Sequence, residues 1–391
     1  MSHRRCITVA PVPLAVVIVV SCMYPVMAQA PATGQSVAAP TDVDLTRGPL
    51  AVTPRLPANP QQQPPPTSAA PPEPQYPVIT LGTLTYLQYD AELKNRDIFN
   101  AFDITRGYIN VFGDLAKNIK FRITPDVKRA TDSSLSGSVA FRIKYAYVEF
   151  DNLTPNSWLR FGAHQTPWLD FEESLNRYRA QGKMFSEREA IIPASADVGV
   201  GYLARFPGNR GEFQVGVYNG EGYDSSEVNK YKSLQGRLTF RPFPNDDRAN
   251  GLLISGFYDL GWYAKDQPRR HGIVMGSYDA KYIFTSVQWL AATERPAPTT
   301  PADIDRNGYS GFLEVRQGME GWAIFGRLDH LDQNTAVPDS SDRRIIAGVA
   351  YWLKWSKVRL GIIINDEDVR YEGGLKKPDE NRIQAITHIQ F

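Results

Sequence analysis

The residues of this chain with the most chemical potential are cations that recur two apart. Lys120, Arg122 and Lys128 lie in one alternating stretch, Arg142 and Lys144 in the next, then Arg160, and later Arg237 and Arg241. Side chains two apart on a strand share a face, so each set lines one surface, and Asp126 is the one carboxylate among them. A row of cations on one face attracts and guides anions rather than catalysing a reaction. A charged connection near 165–196 carries Asp170, Glu172, Glu173, Glu187 and Glu189 against Arg177, Arg179, Lys183 and Arg188. Covalent chemistry has little to build on. Asp329 and His330 are adjacent, so on a strand they point to opposite faces. His164, His271 and His388 are isolated, and no HExxH, phosphate loop or Ser/His/Asp spacing appears. The sequence therefore implies no cofactor, no metal site and no enzyme.

These residues need strands to position them, and the chain supplies strands to its last residue. In 382–391, Ile383, Ala385, Ile389 and Phe391 fall on one face, with Arg382, Gln384, His388 and Gln390 on the other. The same period of two predicts sixteen strands between 78–90 and 382–391. On 118–128, Phe121, Ile123 and Val127 oppose Lys120, Arg122, Thr124, Asp126 and Lys128. On 231–242, Leu234, Leu238 and Phe240 oppose Gln235, Arg237, Thr239 and Arg241. On 308–317, Tyr309, Leu313 and Val315 oppose Ser310, Glu314 and Arg316.

Connections after even-numbered strands are mostly short, and the others are mostly long and polar: 91–101, 128–138, 165–196, 219–231, 293–308, 331–343 and 366–382. Loop length sorted by parity is the mark of an outer-membrane barrel, with long loops outside and both termini in the periplasm. Arg on the lipid face would cost roughly 2–4 kcal/mol at the bilayer midplane, so the polar face must line a lumen. Sixteen strands leave that lumen water-filled.

The N-terminus agrees. Met1–Arg5 is basic, Ile7–Val20 is apolar, and Val26-Met27-Ala28 is a cleavage site, so 1–28 reads as an export signal. Cys6 and Cys22 both lie inside it, so the mature chain has no thiol; Cys22 is a poor match to a lipoprotein site. Residues 29–77, with Pro64-Pro65-Pro66 and Pro71-Pro72, read as a disordered periplasmic linker. The barrel then occupies 78–391. Net charge is +1, without a long basic run, so nucleic acid is not a partner. The 19 Tyr, 18 Phe and 7 Trp suit interfacial girdles against membrane lipid. The C-terminal aromatic, Phe391, resembles the signal read by the barrel-assembly machinery.

Phe102-Asp103-Ile104-Thr105-Arg106-Gly107-Tyr108-Ile109-Asn110, Tyr145-Ala146-Tyr147, Arg160-Phe161-Gly162 with Pro167, Gly216-Val217-Tyr218-Asn219-Gly220, Gly236-Arg237-Leu238 and Arg241-Pro242 together resemble the phosphate-selective porin O and P family of outer-membrane porins. The resemblance implies a sixteen-stranded homotrimeric porin whose third extracellular loop folds into the pore. The loop at 165–196 would then form the constriction, with Glu172, Glu173, Arg177, Arg179, Lys183 and Arg188. Its near balance of charge does not match the basic constriction that phosphate selectivity would need. Across from it, Lys120, Arg122, Lys128, Arg142, Lys144, Arg160, Arg237 and Arg241 would line the wall, giving a weak anion preference. The competing readings are a non-conducting adhesin or anchor with a plugged lumen, and a barrel hydrolase.

Overall fold

The computed structural model describes residues 75–94, 99–130, 137–227, 229–297, 299–300 and 302–391. The expected signal, 1–28, and most of the expected linker, 29–77, lie outside these residues. Eight strands form the first half: β1 (Val78–Glu92), β2 (Asn100–Ala116), β3 (Ile119–Arg129), β4 (Val139–Asp151), β5 (Ser157–Gln165), β6 (Ala196–Arg205), β7 (Gly211–Tyr218) and β8 (Ser233–Phe240). Eight more complete it: β9 (Leu252–Ala264), β10 (Gln267–Ala280), β11 (Ile283–Glu294), β12 (Ile304–Arg316), β13 (Gly321–Asp332), β14 (Ser341–Trp355), β15 (Val358–Tyr371) and β16 (Glu380–Gln390). Each pairs antiparallel with its neighbours, and β1 pairs with β16, closing the barrel.

Closure is what makes the strands compatible with lipid, because an open sheet edge would leave backbone donors and acceptors unpaired in hydrocarbon. The last bonds of the seam come from the terminal residue: Thr83 N donates to Phe391 O at 3.0 Å, and Phe391 N to Thr83 O at 3.3 Å. Among the described residues no helix is long and apolar enough to cross a membrane, which leaves the strands. Their outward positions are apolar, as at Leu81, Phe161, Val274, Val287 and Ile324. Large aromatics gather toward the two rims, with Phe102 at 83% exposure near one and Trp355 at 84% near the other. Rings so exposed would be costly in water and are suited to the two interfaces of a bilayer.

Loop length follows parity with two exceptions. The connection from β9 to β10 is only Lys265 and Asp266, and that from β8 to β9, on the short side, runs from 241 to 251. The alternation of faces also has local exceptions. Ile386 lies on the polar side of β16 and is buried inside the barrel with Phe312, Trp352 and Ile363. Register shifts interrupt four of the strand pairs, and two of them bear on the wall facing the loop: Thr105 is the extra residue of β2 against β1, and Lys144 the extra residue of β4 against β3. A bulge lets two consecutive side chains turn to one face, so Lys144 and Tyr145 are both buried within the lumen.

Two tests follow from this architecture. A cysteine at Asn209, in the β6–β7 turn, is expected to resist impermeant thiol reagent in intact cells, whereas one at Asp339, between β13 and β14, is expected to react. Labelling at Asn209 would reverse the orientation. Deleting Phe391 removes both seam bonds, at roughly 0.5–1.5 kcal/mol each, and should lower the yield of heat-modifiable barrel on gels. Unchanged yield would show that the seam closes without it.

Candidate pore constriction

Between β5 and β6 the chain does not stay outside. Thr166 and Ser195 tie the loop's two ends together, Thr166 N to Ser195 O at 3.1 Å. From that root the segment enters the lumen as helix α1 (Leu169–Leu175), followed by 3-10 turns at Arg179–Gln181 and Phe185–Ala190. Trp168, Leu169, Met184, Phe185, Ile191 and Ile192 pack on Phe257, Ile273, Met275, Leu290 and Leu331 of the inner wall. Tyr178 packs on Phe312, Phe325 and Trp352, its ring centroid 4.2 Å from that of Phe325. Trp352 fits only because Gly361 sits beneath it; a Cβ there would come within 2.5 Å of the indole. The inner face of β9 to β16 is therefore apolar where the loop lies. Burial of such side chains stabilises by about 1.5–3 kcal/mol each, which seats the loop.

Polar pins fix its register. Glu172 is buried and accepts hydrogen bonds from Trp168 Nε1 (3.0 Å), Ser186 Oγ (2.8 Å) and Gln288 Nε2 (2.7 Å). Arg177 donates to Glu314 at 2.9 Å and to Met319 O at 2.9 Å. The carbonyl of Lys183 accepts from Arg327 at 3.1 Å and Arg344 at 3.0 Å, and Arg188 pairs with Asp342.

With the loop held against β9 to β16, the open side of the lumen lies between α1 and β2 to β5. Asp170, exposed, projects into it, with Arg122, Lys144 and Arg160 among its nearest charges. Glu173 spans one edge: it pairs with Arg106 of β2 at 3.0 Å and with Arg179 at 2.8 Å. Burial alone would raise the Glu173 carboxyl, but Arg106, Arg179 and Lys144 outweigh it and hold the group well below the usual carboxylate range. Acid thus faces base across a narrow gap, where water is scarce and charge acts strongly.

The wall cations are held in different ways. Arg122 donates to Thr124 at 2.9 Å and Asn110 at 2.8 Å and lies over the Tyr145 ring at 4.2 Å. Lys144 donates to Tyr108 Oη at 2.5 Å. Neither has a carboxylate within ion-pair distance among the described residues. By contrast Arg160 pairs with Glu149 at 2.7 Å, and Arg142 with Asp126 at 3.2 Å and Asp224 at 3.1 Å. Lys120 pairs with Asp151 at 2.5 Å, and Lys128 lies 3.6 Å from Asp224. Arg237 is buried between Glu212 at 2.6 Å, Pro167 O at 2.8 Å and the Phe171 ring. Arg241 caps the Asn250 carbonyl at the β8–β9 connection.

Of the loop residues expected at the constriction, Glu173 and Arg179 face the gap, while Glu172, Arg177 and Arg188 anchor the loop to the wall. Lys183 contributes its carbonyl and leaves its side chain exposed. Arg106, Tyr86 and Tyr108 were not singled out by the cation spacing. Arg106, Tyr108 and Asn110 do alternate on one face, which was the available signal. Asp329 is buried inside the lumen, paired with Arg327 at 2.8 Å, while His330 is half-buried and lies against Tyr309. They do not act together.

Residues 84–254 match the phosphate-selective porin O and P family. That match covers less than half of the chain; joined to a closed sixteen-stranded barrel with an inward third loop, it supports a channel of the bacterial outer membrane. No curated protein matches it in sequence. Among solved structures it is similar to an anion-selective porin from Comamonas acidovorans, at 12% identity and TM-score 0.58, covering 81% of this chain and 100% of that one. It is also similar to outer-membrane OmpT of Vibrio cholerae, at 9% identity and TM-score 0.58, covering 82% and 99%. The channel DcaP of Acinetobacter baumannii aligns at 10% identity and TM-score 0.55, covering 81% and 97%. At such identities the likeness is one of fold.

Because Glu172 satisfies three donors, Glu172→Leu would leave them buried and unpaired, at roughly 1–3 kcal/mol each. The porin barrel should still assemble, since its backbone ladder is untouched. Single-channel recordings of the variant are expected to show larger, noisier openings as the loop loosens. Quiet openings of wild-type size would mean that apolar packing alone holds the loop.

Proposed function

We propose that the protein is a homotrimeric diffusion pore for small hydrophilic solutes with a weak preference for anions. The observation that carries this reading is that Arg122 and Lys144 line the gap with no carboxylate partner among the described residues, opposite Asp170 and Glu173. A cation already paired with a carboxylate offers a passing solute little net field; these two are not cancelled in that way. The acids on α1 keep the preference weak, and a phosphate ion passing there would meet them as well. Phosphate is therefore one of the anions admitted rather than the solute for which the gap is built.

The remaining parts of the reading follow from the sequence. Residues 1–28 direct export and are removed, and 29–77 form a periplasmic tether. Phe391, exposed at the seam, is recognised by the assembly machinery and then faces lipid. The family and the trimer form known for OmpT of Vibrio cholerae support three copies side by side. None of these roles requires a cofactor, and the cation wall supports a conducting pore over an adhesin or a hydrolase.

The test is the reversal potential in a potassium chloride gradient. Chloride should be favoured over potassium in dilute salt, and the ratio should fall toward one as salt shortens a screening length of about 10 Å at 0.1 M. Replacing Arg122 and Lys144 together by Gln should abolish the preference. Arg142→Gln should turn the pore toward cations, because it leaves the Asp126 carboxylate unpaired, and Arg160→Gln should do so less, because Glu149 keeps Lys120 at 3.9 Å. A wild-type pore that favours potassium in dilute salt would show that Asp170 and Glu173 set the field.

A further inference from the structure

We infer that a polar chamber on the extracellular side of the constriction is a binding site for small zwitterions, solutes that carry a carboxylate and an ammonium group a few bonds apart, such as α-amino acids. The site presupposes a conducting barrel, as proposed above, and names a solute class for it. The chamber has a volume of about 190 Å³. It lies between β2, β3 and β4, the returning end of the inward loop at Ser195, and Tyr223 of the β7–β8 connection.

Both signs of charge line it, unevenly placed. Arg106 and Arg179 form one side, where Glu173 bridges them and Glu187 pairs with Arg179 at 2.8 Å. On the other side Arg142 is held by Asp126 and Asp224. With Lys144, four cations line the chamber against three carboxylates, Asp126, Glu187 and Asp224, while Glu173 lies behind Arg106 and Arg179. A simple anion drawn to the cations is repelled by the acids, and a simple cation the reverse. A solute with both charges gains from both when it is oriented.

Two groups break the internal pairing and show where each end belongs. Among the described residues Lys144 Nζ has one hydrogen-bond partner, the Tyr108 hydroxyl, and no carboxylate, so it has spare donors for a solute carboxylate. Asp126 gives one oxygen to Arg142, and its other, Oδ1, has no hydrogen-bond partner among the described residues. That oxygen is an acceptor for an ammonium group once the side chain turns toward the chamber. The two residues sit on adjacent strands and on one face, since Asp126 lies opposite Arg142 and Lys144 is two residues further along. Tyr223, whose ring lies 4.6 Å from the Arg142 guanidinium and 5.5 Å from Lys144 Nζ, offers an aromatic lid that tolerates cationic and aliphatic parts alike.

The experiment uses the full-length protein in planar bilayers, with alanine added to one side and propionate, ethylammonium and glycerol as probes of similar size. Alanine should interrupt the potassium chloride current saturably, at a half-effect concentration about tenfold below that of any of the three, a difference of one decade in affinity. Lys144→Gln and Asp126→Asn should each erase most of that difference. The wild-type comparison stands even where a variant fails to assemble. A conducting pore in which alanine does no more than glycerol overturns the site and leaves the pore reading intact. Propionate as effective as alanine would make the chamber an anion site and overturn the zwitterion assignment. Absence of any current would remove the pore reading and the site with it.

Discussion

The structure depends on one constraint: in hydrocarbon, every backbone donor and acceptor must find its partner within the protein. The sixteen strands meet it by closing into a ring, and the closure ends on a pair of bonds between Thr83 and Phe391. Once the ring closes, strand geometry separates the two environments without further design. Outward positions meet lipid and are apolar; inward positions meet water or the loop. The cations at 120, 122, 142, 144 and 160 come together because the ring turns every other residue inward and staggers neighbouring strands.

A ring of this size would leave a wide opening, and the inward loop changes that. The loop needs an apolar seat, and the second half of the barrel provides one at Phe257, Ile273, Leu290, Phe312, Trp352 and Ile386. The lumen is thereby divided by chemistry. One half of the wall is consumed in packing, with ion pairs such as Arg327–Asp329 and Arg344–Glu367 satisfying one another. The other half, β2 to β5, stays polar and faces α1 across the gap. Passage and rigidity are assigned to opposite sides of the same cylinder.

This division explains what could be read from the sequence. Strands were legible because lipid imposes a strict period of two on outward residues, and an error such as Arg at midplane is expensive. Residues such as Phe121 and Ile123, or Leu234 and Leu238, therefore announce their face. The inner face carries no such rule. Phe312 and Ile386 break the polar alternation because they seat a loop distant in sequence, and nothing local marks them. The bulges at Thr105 and Lys144 were also hidden, since an extra residue looks the same as a continuing strand until its partner strand is known. Glu172 shows the same limit. Beside Glu173 it reads as one more loop charge, yet one is a buried pin and the other an edge of the gap. Their difference arises from which face of a seven-residue helix meets the wall.

The way each cation is held then decides what it contributes to the lumen. Arg327 donates from Nε and Nη2 to the two oxygens of Asp329, each at 2.8 Å, and the pair is nearly neutral to anything passing. Arg122 is held instead by neutral partners, two side-chain oxygens and the faces of Tyr145 and Phe112; Lys144 likewise rests among Tyr108, Tyr145 and Tyr223. A cation–aromatic contact is worth about 0.5–2 kcal/mol, enough to orient a side chain, and it sets no opposite charge beside it. A carboxylate orients more firmly but cancels what it holds. The lumenal aromatics of β9 to β16 seat the loop, whereas on this side Tyr145 and Tyr147 form only a small cluster with Ala196 and Tyr223. Their concentration around the unpaired cations of β2 to β4 is understandable as the means of fixing charge without neutralising it.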